Sequence, residues 1–91
     1  MIDLIELNEE ITVLEETFID EKLEYELRKA RLFTESNWSE ILGKAKPTQK
    51  DIENNIKIQT IDDERSVKQL ENVVKSKKRL LEILMIQEAK D

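Results

Sequence analysis

The stretch Gly43-Lys44-Ala45-Lys46-Pro47-Thr48-Gln49-Lys50-Asp51 decides the fold of this chain. It holds the only Gly and the only Pro among the 91 residues, and these two residue types interrupt helices most strongly. Gly43 suits the end of one helix, and Thr48 with Asp51 suits the start of the next. The sequence therefore predicts a turn at residues 43–47 with helices on both sides.

A long helix is predicted before this turn, over about residues 3–42. Its first apolar residues recur in steps of three and four, as in an amphipathic helix: Leu4, Leu7, Ile11, Leu14 and Phe18. Tyr25 and Leu32 continue these positions. A second row is expected to take over as the apolar face: Ile19, Leu23, Leu27 and Ala30. Ser36 is a good helix N-cap, which leaves open whether the long helix breaks near that residue.

Two further helices are predicted after the turn, a short one over residues 48–59 and a long one over residues 60–89. The hydroxyl of Thr60 is expected to cap the start of the long helix. The long helix carries its own heptad of apolar residues: Val67, Leu70, Val74, Leu81 and Leu84. We therefore expect an all-α, coiled-coil-like antiparallel helical hairpin, in which two long helices enclose a short one within a single domain of residues 1–91.

The charges are divided unevenly along the chain, whose formal net charge is −6. Residues 1–26 hold ten acids and one base, whereas Lys75, Lys77, Lys78 and Arg79 cluster in the last helix. An antiparallel hairpin places this basic cluster beside the acidic half, and such patterns select helix orientation more than they add stability. With these partners available, we do not expect the chain to bind nucleic acid directly.

The composition excludes several kinds of active site. The chain has no Cys and no His, so it cannot form a zinc finger or supply a thiol nucleophile or an imidazole base. The consecutive acids at residues 62–64 point in different directions on a helix and suit its positive N-terminal end better than a Mg²⁺ ion. We therefore predict no enzyme activity, no metal site and no cofactor.

The cellular location is predicted from two further features of the sequence. The first residues are acidic rather than basic, so we expect no secretory leader. No apolar run approaches the roughly 18 residues that cross a membrane. We expect a cytoplasmic protein with no membrane contact.

Self-association is predicted from the apolar run near the end of the last helix. A two-helix hairpin covers only one side of this run, so a second copy is expected to cover the rest. The predicted interface consists of Leu80, Ile83, Leu84 and Ile86.

Two features are candidate binding sites for another protein. Trp38, the only Trp, is interpreted either as an anchor for a partner or as a plug that closes the end of the hairpin. Four acids of the first helix are the second feature: Glu9, Glu10, Glu15 and Glu16. The alternative interpretation is a solvated helix face whose acids pair with the basic cluster of the same chain.

Residues 23–85 resemble a group of small phage and prophage helical-hairpin proteins, usually without an assigned function and often encoded near early replication and recombination genes. The features that carry the resemblance follow in chain order: Tyr25-Glu26-Leu27-Arg28-Lys29-Ala30, Lys46-Pro47-Thr48-Gln49-Lys50-Asp51-Ile52-Glu53, Asp62-Asp63-Glu64, and the charged amphipathic stretch from Lys68 to Leu84. The resemblance implies a phage setting and a three-segment hairpin, and it brings no catalytic residue.

Two classes of function follow. The first is a non-enzymatic phage interaction protein that binds another protein, viral or host, and is accessory to viral DNA replication or recombination. The second is an inhibitor of a host defence factor, which acts by acidic nucleic-acid mimicry or by sequestering a signalling nucleotide between subunits. Arg65, Lys68 and Arg79 would face such a nucleotide.

Overall fold

The N-terminal heptad forms a long helix, α1 (Leu4–Glu35), in the computed structural model, which describes residues 3–90. The carboxylate of Asp3 caps its start, because it accepts hydrogen bonds from the backbone N–H groups of Ile5 at 2.9 Å and Glu6 at 3.4 Å. At 1.5 Å per residue, a helix of this length spans about 48 Å.

The first long helix ends at Glu35, so the predicted helical region of residues 3–42 breaks near Ser36, which is one of the two alternatives that the sequence left open. Ser36 has extended backbone angles, φ −84° and ψ 144°, and a separate short helix follows, α2 (Trp38–Leu42). The side chain of Asn37 accepts a hydrogen bond from the backbone N–H of Glu40 at 3.3 Å and so caps the start of α2. Gly43 ends α2 in the left-handed conformation, with φ +65°.

The remaining helices are α3 (Gln49–Gln59) and α4 (Ile61–Lys90). Thr48 and Asp51 form the predicted capping box, in which each side chain accepts a hydrogen bond from the other residue's backbone N–H at 3.4 Å or less. The predicted role of Thr60 is wrong. Its buried hydroxyl donates backward to the carbonyl oxygen of Ile56 at 2.8 Å, so it completes the end of α3 instead of capping α4.

The long helices α1 and α4 pack against each other in antiparallel orientation, which confirms the predicted all-α hairpin. Ion pairs join Glu10 to Lys77 and Arg28 to Asp63, so partners in α4 descend as residue numbers in α1 rise. The molecule measures 69 × 17 × 15 Å, and its thin core has these buried apolar residues: Leu7, Ile11, Trp38, Ile56, Val67 and Val74. None of the helices within residues 3–90 has the length and apolar character to cross a membrane.

The predicted exchange of apolar faces on α1 does not occur. Tyr25 and Leu32 remain half-buried, so the original heptad positions stay turned toward the core along the helix. The second row is exposed instead, with Ile19 at 61%, Leu23 at 57% and Leu27 at 46% of their accessible surface. The original row stays in the core because α4 packs along α1 as far as the ion pair between Arg28 and Asp63.

Candidate functional site

Two of the four predicted partner-binding acids pair with the basic cluster of the same chain. Glu10 lies 3.0 Å from the Lys77 ammonium, and Glu15 lies 2.7 Å from that of Lys78. These pairs hold α1 and α4 in register, although each group is still partly exposed and each pair contributes only about 0.2–1 kcal/mol. Glu9 has no ion-pair partner within residues 3–90 and is exposed.

The exposed aliphatic row of α1 forms a surface with an acidic edge. We call it the α1 outer face and define it as Ile19, Leu23, Leu27 and Ala30, flanked by Glu16, Asp20 and Glu24. The three acids follow one another at four-residue spacing, and like charges at this spacing destabilise a helix by a few tenths of a kcal/mol. None of the three forms an ion pair with any part of the chain that the structure describes.

A second surface, uncharged and with three aliphatic residues, runs along α4, about a third of a turn away from the positions that face α1. We call it the α4 seam, and its members are Ser66, Gln69, Val73, Ser76, Leu80, Ile83 and Gln87. Leu80 is half-buried and the other members are exposed. A shallow groove lies along its middle, lined by Asn72, Val73, Ser76, Lys77 and Leu80.

The structure separates the four residues predicted to form an oligomer interface. Leu80 and Ile83 belong to the α4 seam, and exposed Ile86 lies beside it. Leu84 is half-buried at a heptad position that faces α1. The full seam was missed because sequence analysis followed the more apolar core heptad, although its spacing of three and four residues is visible in the sequence.

Trp38 lies in the core at the connected end of the hairpin, just after α1, with 7% of its surface exposed. Its indole N–H donates to the carbonyl oxygen of Phe33 at 3.0 Å, which satisfies an acceptor in the last turn of α1. This geometry favours the plug interpretation, because almost no Trp38 surface is left for a partner.

The three cations considered for a nucleotide lie on the outer side of α4. Arg65 and Arg79 are exposed, whereas Lys68 bonds Glu64 at 3.1 Å. That hydrogen bond holds the pKa of Glu64 below its ordinary value. Within residues 3–90, no group of His, Cys, Asp and Glu side chains is arranged to hold a metal ion.

Comparisons of this chain with protein-family models, with curated proteins and with solved structures give no match.

Proposed function

We propose that this chain is a non-enzymatic interaction protein that binds a partner protein through the α1 outer face. The observation that supports this proposal is the exposure of Ile19, Leu23 and Leu27, which form a row on α1 next to the core-facing heptad row. Aliphatic side chains in a continuous row are a common feature of helix-binding surfaces. The flanking acids would select a partner with complementary positive charge.

The proposed setting is viral DNA replication or recombination, in which the chain acts as an accessory protein in the host cytoplasm. This part of the proposal rests on the resemblance to phage helical-hairpin proteins. A contact of this kind requires neither a cofactor nor a metal ion.

Inhibition of a host defence factor by nucleic-acid mimicry is the second candidate function. The observation that favours it is the row of Glu16, Asp20 and Glu24, whose carboxylates are not neutralised within residues 3–90. A row of fixed negative charges could occupy a basic groove that normally receives phosphates.

Self-association belongs to the same proposal. Leu80, Ile83 and Ile86 would be covered by a second copy, whereas Leu84 would contribute mainly to the hairpin itself. A dimer would leave the α1 outer face of each copy free for the partner.

Affinity capture from nuclease-treated lysate of phage-infected cells tests the binding face. The bait is the tagged full chain, compared with the double variant Leu23→Ser/Leu27→Ser and with Ile58→Ser as a matched control. Ile58 is an aliphatic residue on α3 that is 70% exposed, more than Leu23 at 57% or Leu27 at 46%, and it does not belong to the α1 outer face. A viral replication or recombination protein captured by the native chain and the control, but lost with the double variant, would support the accessory function.

Charge reversal separates the two candidate functions. The variant Glu9→Lys/Glu16→Lys/Asp20→Lys leaves the ion pairs of Glu10 and Glu15 intact, so the hairpin should keep its fold. Mimicry predicts that this variant loses a captured host nuclease and that native binding weakens sharply with salt. An accessory contact held by apolar residues should weaken only modestly. If the partner is captured equally well by the leucine variant and the charge-reversal variant, the α1 outer face is not the binding site.

A further inference from the structure

We infer that two copies of this chain pair through their α4 seams, in antiparallel orientation about a two-fold axis near residue 78. This inference rests on the self-association proposed above and specifies its surface and symmetry. The seven seam residues follow one another at alternating steps of three and four between residues 66 and 87. That spacing is the heptad pattern with which one helix packs against another.

The α4 seam carries no formal charge, although 40% of the residues in the chain are charged. The heptad row that faces α1, in contrast, includes Asp63, Lys77 and Glu88. The charged residues of a helix normally lie on its exposed surface, because their side chains stay hydrated there. The α4 seam therefore lacks the charges of an ordinary exposed helical surface, and Val73, Leu80 and Ile83 give it an aliphatic centre.

A second copy is the partner that suits an uncharged surface. In a two-fold dimer the same surface occurs on both subunits, so a surface with charges of one sign would face its own charge. The α1 outer face would bring Glu16, Asp20 and Glu24 against their own copies. The α4 seam meets no such penalty.

The antiparallel orientation follows from the sizes of the seam residues. An axis near residue 78 places Ser76 against Leu80 of the partner subunit, Val73 against the partner's Ile83, and Gln69 against the partner's Gln87. Each large side chain then faces a small or complementary one, and the two amides can exchange hydrogen bonds. A parallel pair would instead align Ser76 with its own copy and leave that layer poorly filled.

The cations nearest the axis do not oppose this arrangement. Lys77 would approach its own copy, but Glu10 lies 3.0 Å from each Lys77 ammonium and neutralises it. Arg79 would meet its own copy at the outer, exposed edge, where solvent and salt screen the repulsion.

The mass of the native chain in solution, measured by light scattering during gel filtration, tests the surface. We expect twice the monomer mass of 10.8 kDa for the native chain and the monomer mass for Ile83→Glu. The dimer dissociation constant should rise at least about 100-fold, because the variant buries two unpaired carboxylates in each dimer. Met85→Glu is the matched control, because Met85 is 56% exposed, compared with 44% for Ile83, and lies outside the seam. Circular dichroism checks that both variants remain helical.

Disulfide cross-linking tests the orientation without disturbing the centre of the seam. Since the chain contains no Cys, Gln69→Cys and Gln87→Cys each introduce a single thiol. The antiparallel pair predicts a cross-link between the two variants when they are mixed and none within either variant alone. Cross-links within each variant alone would overturn the antiparallel orientation.

The outcomes distinguish this inference from the proposals on which it rests. A native dimer that persists in Ile83→Glu would overturn the α4 seam as the contact and leave self-association standing. A native chain that stays monomeric at high concentration would overturn both. Partner capture through the α1 outer face is measured separately and is affected by neither result.

Discussion

Replacement of Trp38 by alanine tests whether this residue closes the end of the hairpin. Trp38 is 7% exposed, and its side chain is one of the few large ones in a thin core. Burial of a Trp removes about 150–250 Å² from water. At about 25 cal/mol per Å² this contributes roughly 4–6 kcal/mol as an upper bound. Because Trp-to-Ala changes in protein cores cost about 3–5 kcal/mol and Trp38 lies at the periphery, we expect a loss of about 3 kcal/mol.

The assay is urea unfolding followed by the helical circular dichroism signal. The chain concentration must be equal for all variants, because self-association would shift the apparent stability. Trp38→Phe is the companion variant, since it keeps an aromatic ring but loses the hydrogen bond to the Phe33 carbonyl oxygen. We expect this variant to lose about 1 kcal/mol.

A small effect of Trp38→Ala would refute the plug interpretation. If the free energy of unfolding falls by less than about 1 kcal/mol, Trp38 does not support the core. Loss of partner capture at unchanged stability would restore Trp38 as a partner anchor.

Three further predictions concern the helix junctions and the ion pairs. Gly43→Ala should lower the free energy of unfolding by about 1 kcal/mol in urea titrations, because alanine is strained in the left-handed conformation of Gly43, φ +65°. No atom lies within 4 Å of an added Cβ, so a steric clash should not contribute. An unchanged free energy of unfolding would contradict this backbone explanation. Thr60→Val should lower the free energy of unfolding by about 1 kcal/mol in thermal unfolding, since the Ile56 carbonyl oxygen loses its bond to the hydroxyl and keeps only the bond from the Thr60 backbone N–H. An unchanged midpoint would refute that role. The hydrogen bond from Lys75 holds the pKa of Glu71 below its ordinary value of 4.5. This hydrogen bond should therefore stabilise the fold fully above pH 4.5, and its contribution should disappear as the pH falls through the folded-state pKa of Glu71. Urea midpoints measured down to about pH 3 should therefore fall less steeply in Lys75→Met than in the native chain, and parallel curves would contradict this.

The helix ends and the turn were largely predictable because their signals are local. Thr48 and Asp51 lie three residues apart, and the structure forms the capping box between them. Thr60 was misread because a hydroxyl between two helices can donate backward or accept forward. The direction of the hydroxyl's hydrogen bond depends on which carbonyl groups at the end of the preceding helix can still accept one.

The candidate surfaces were less predictable because a row of apolar residues does not specify its own partner. The row from Ile19 to Ala30 and the row through Tyr25 both fit an amphipathic helix, and only the position of α4 decided which of them was buried. The sequence also contained the α4 seam, but its significance came from finding it exposed beside a core that α1 had already completed.

Local sequence patterns are enough to predict that this chain is helical, where it turns, and that its two long helices pack side by side. Helix periodicity, caps and breakers act over a few residues, so they need no knowledge of the rest of the fold. The packing of the helices was needed to show that Trp38 is buried and that Glu10 and Glu15 pair with lysines of α4. It was also needed to show that the α1 outer face and the α4 seam are exposed. Burial is a property of two surfaces in contact, and a single chain segment carries only one of them.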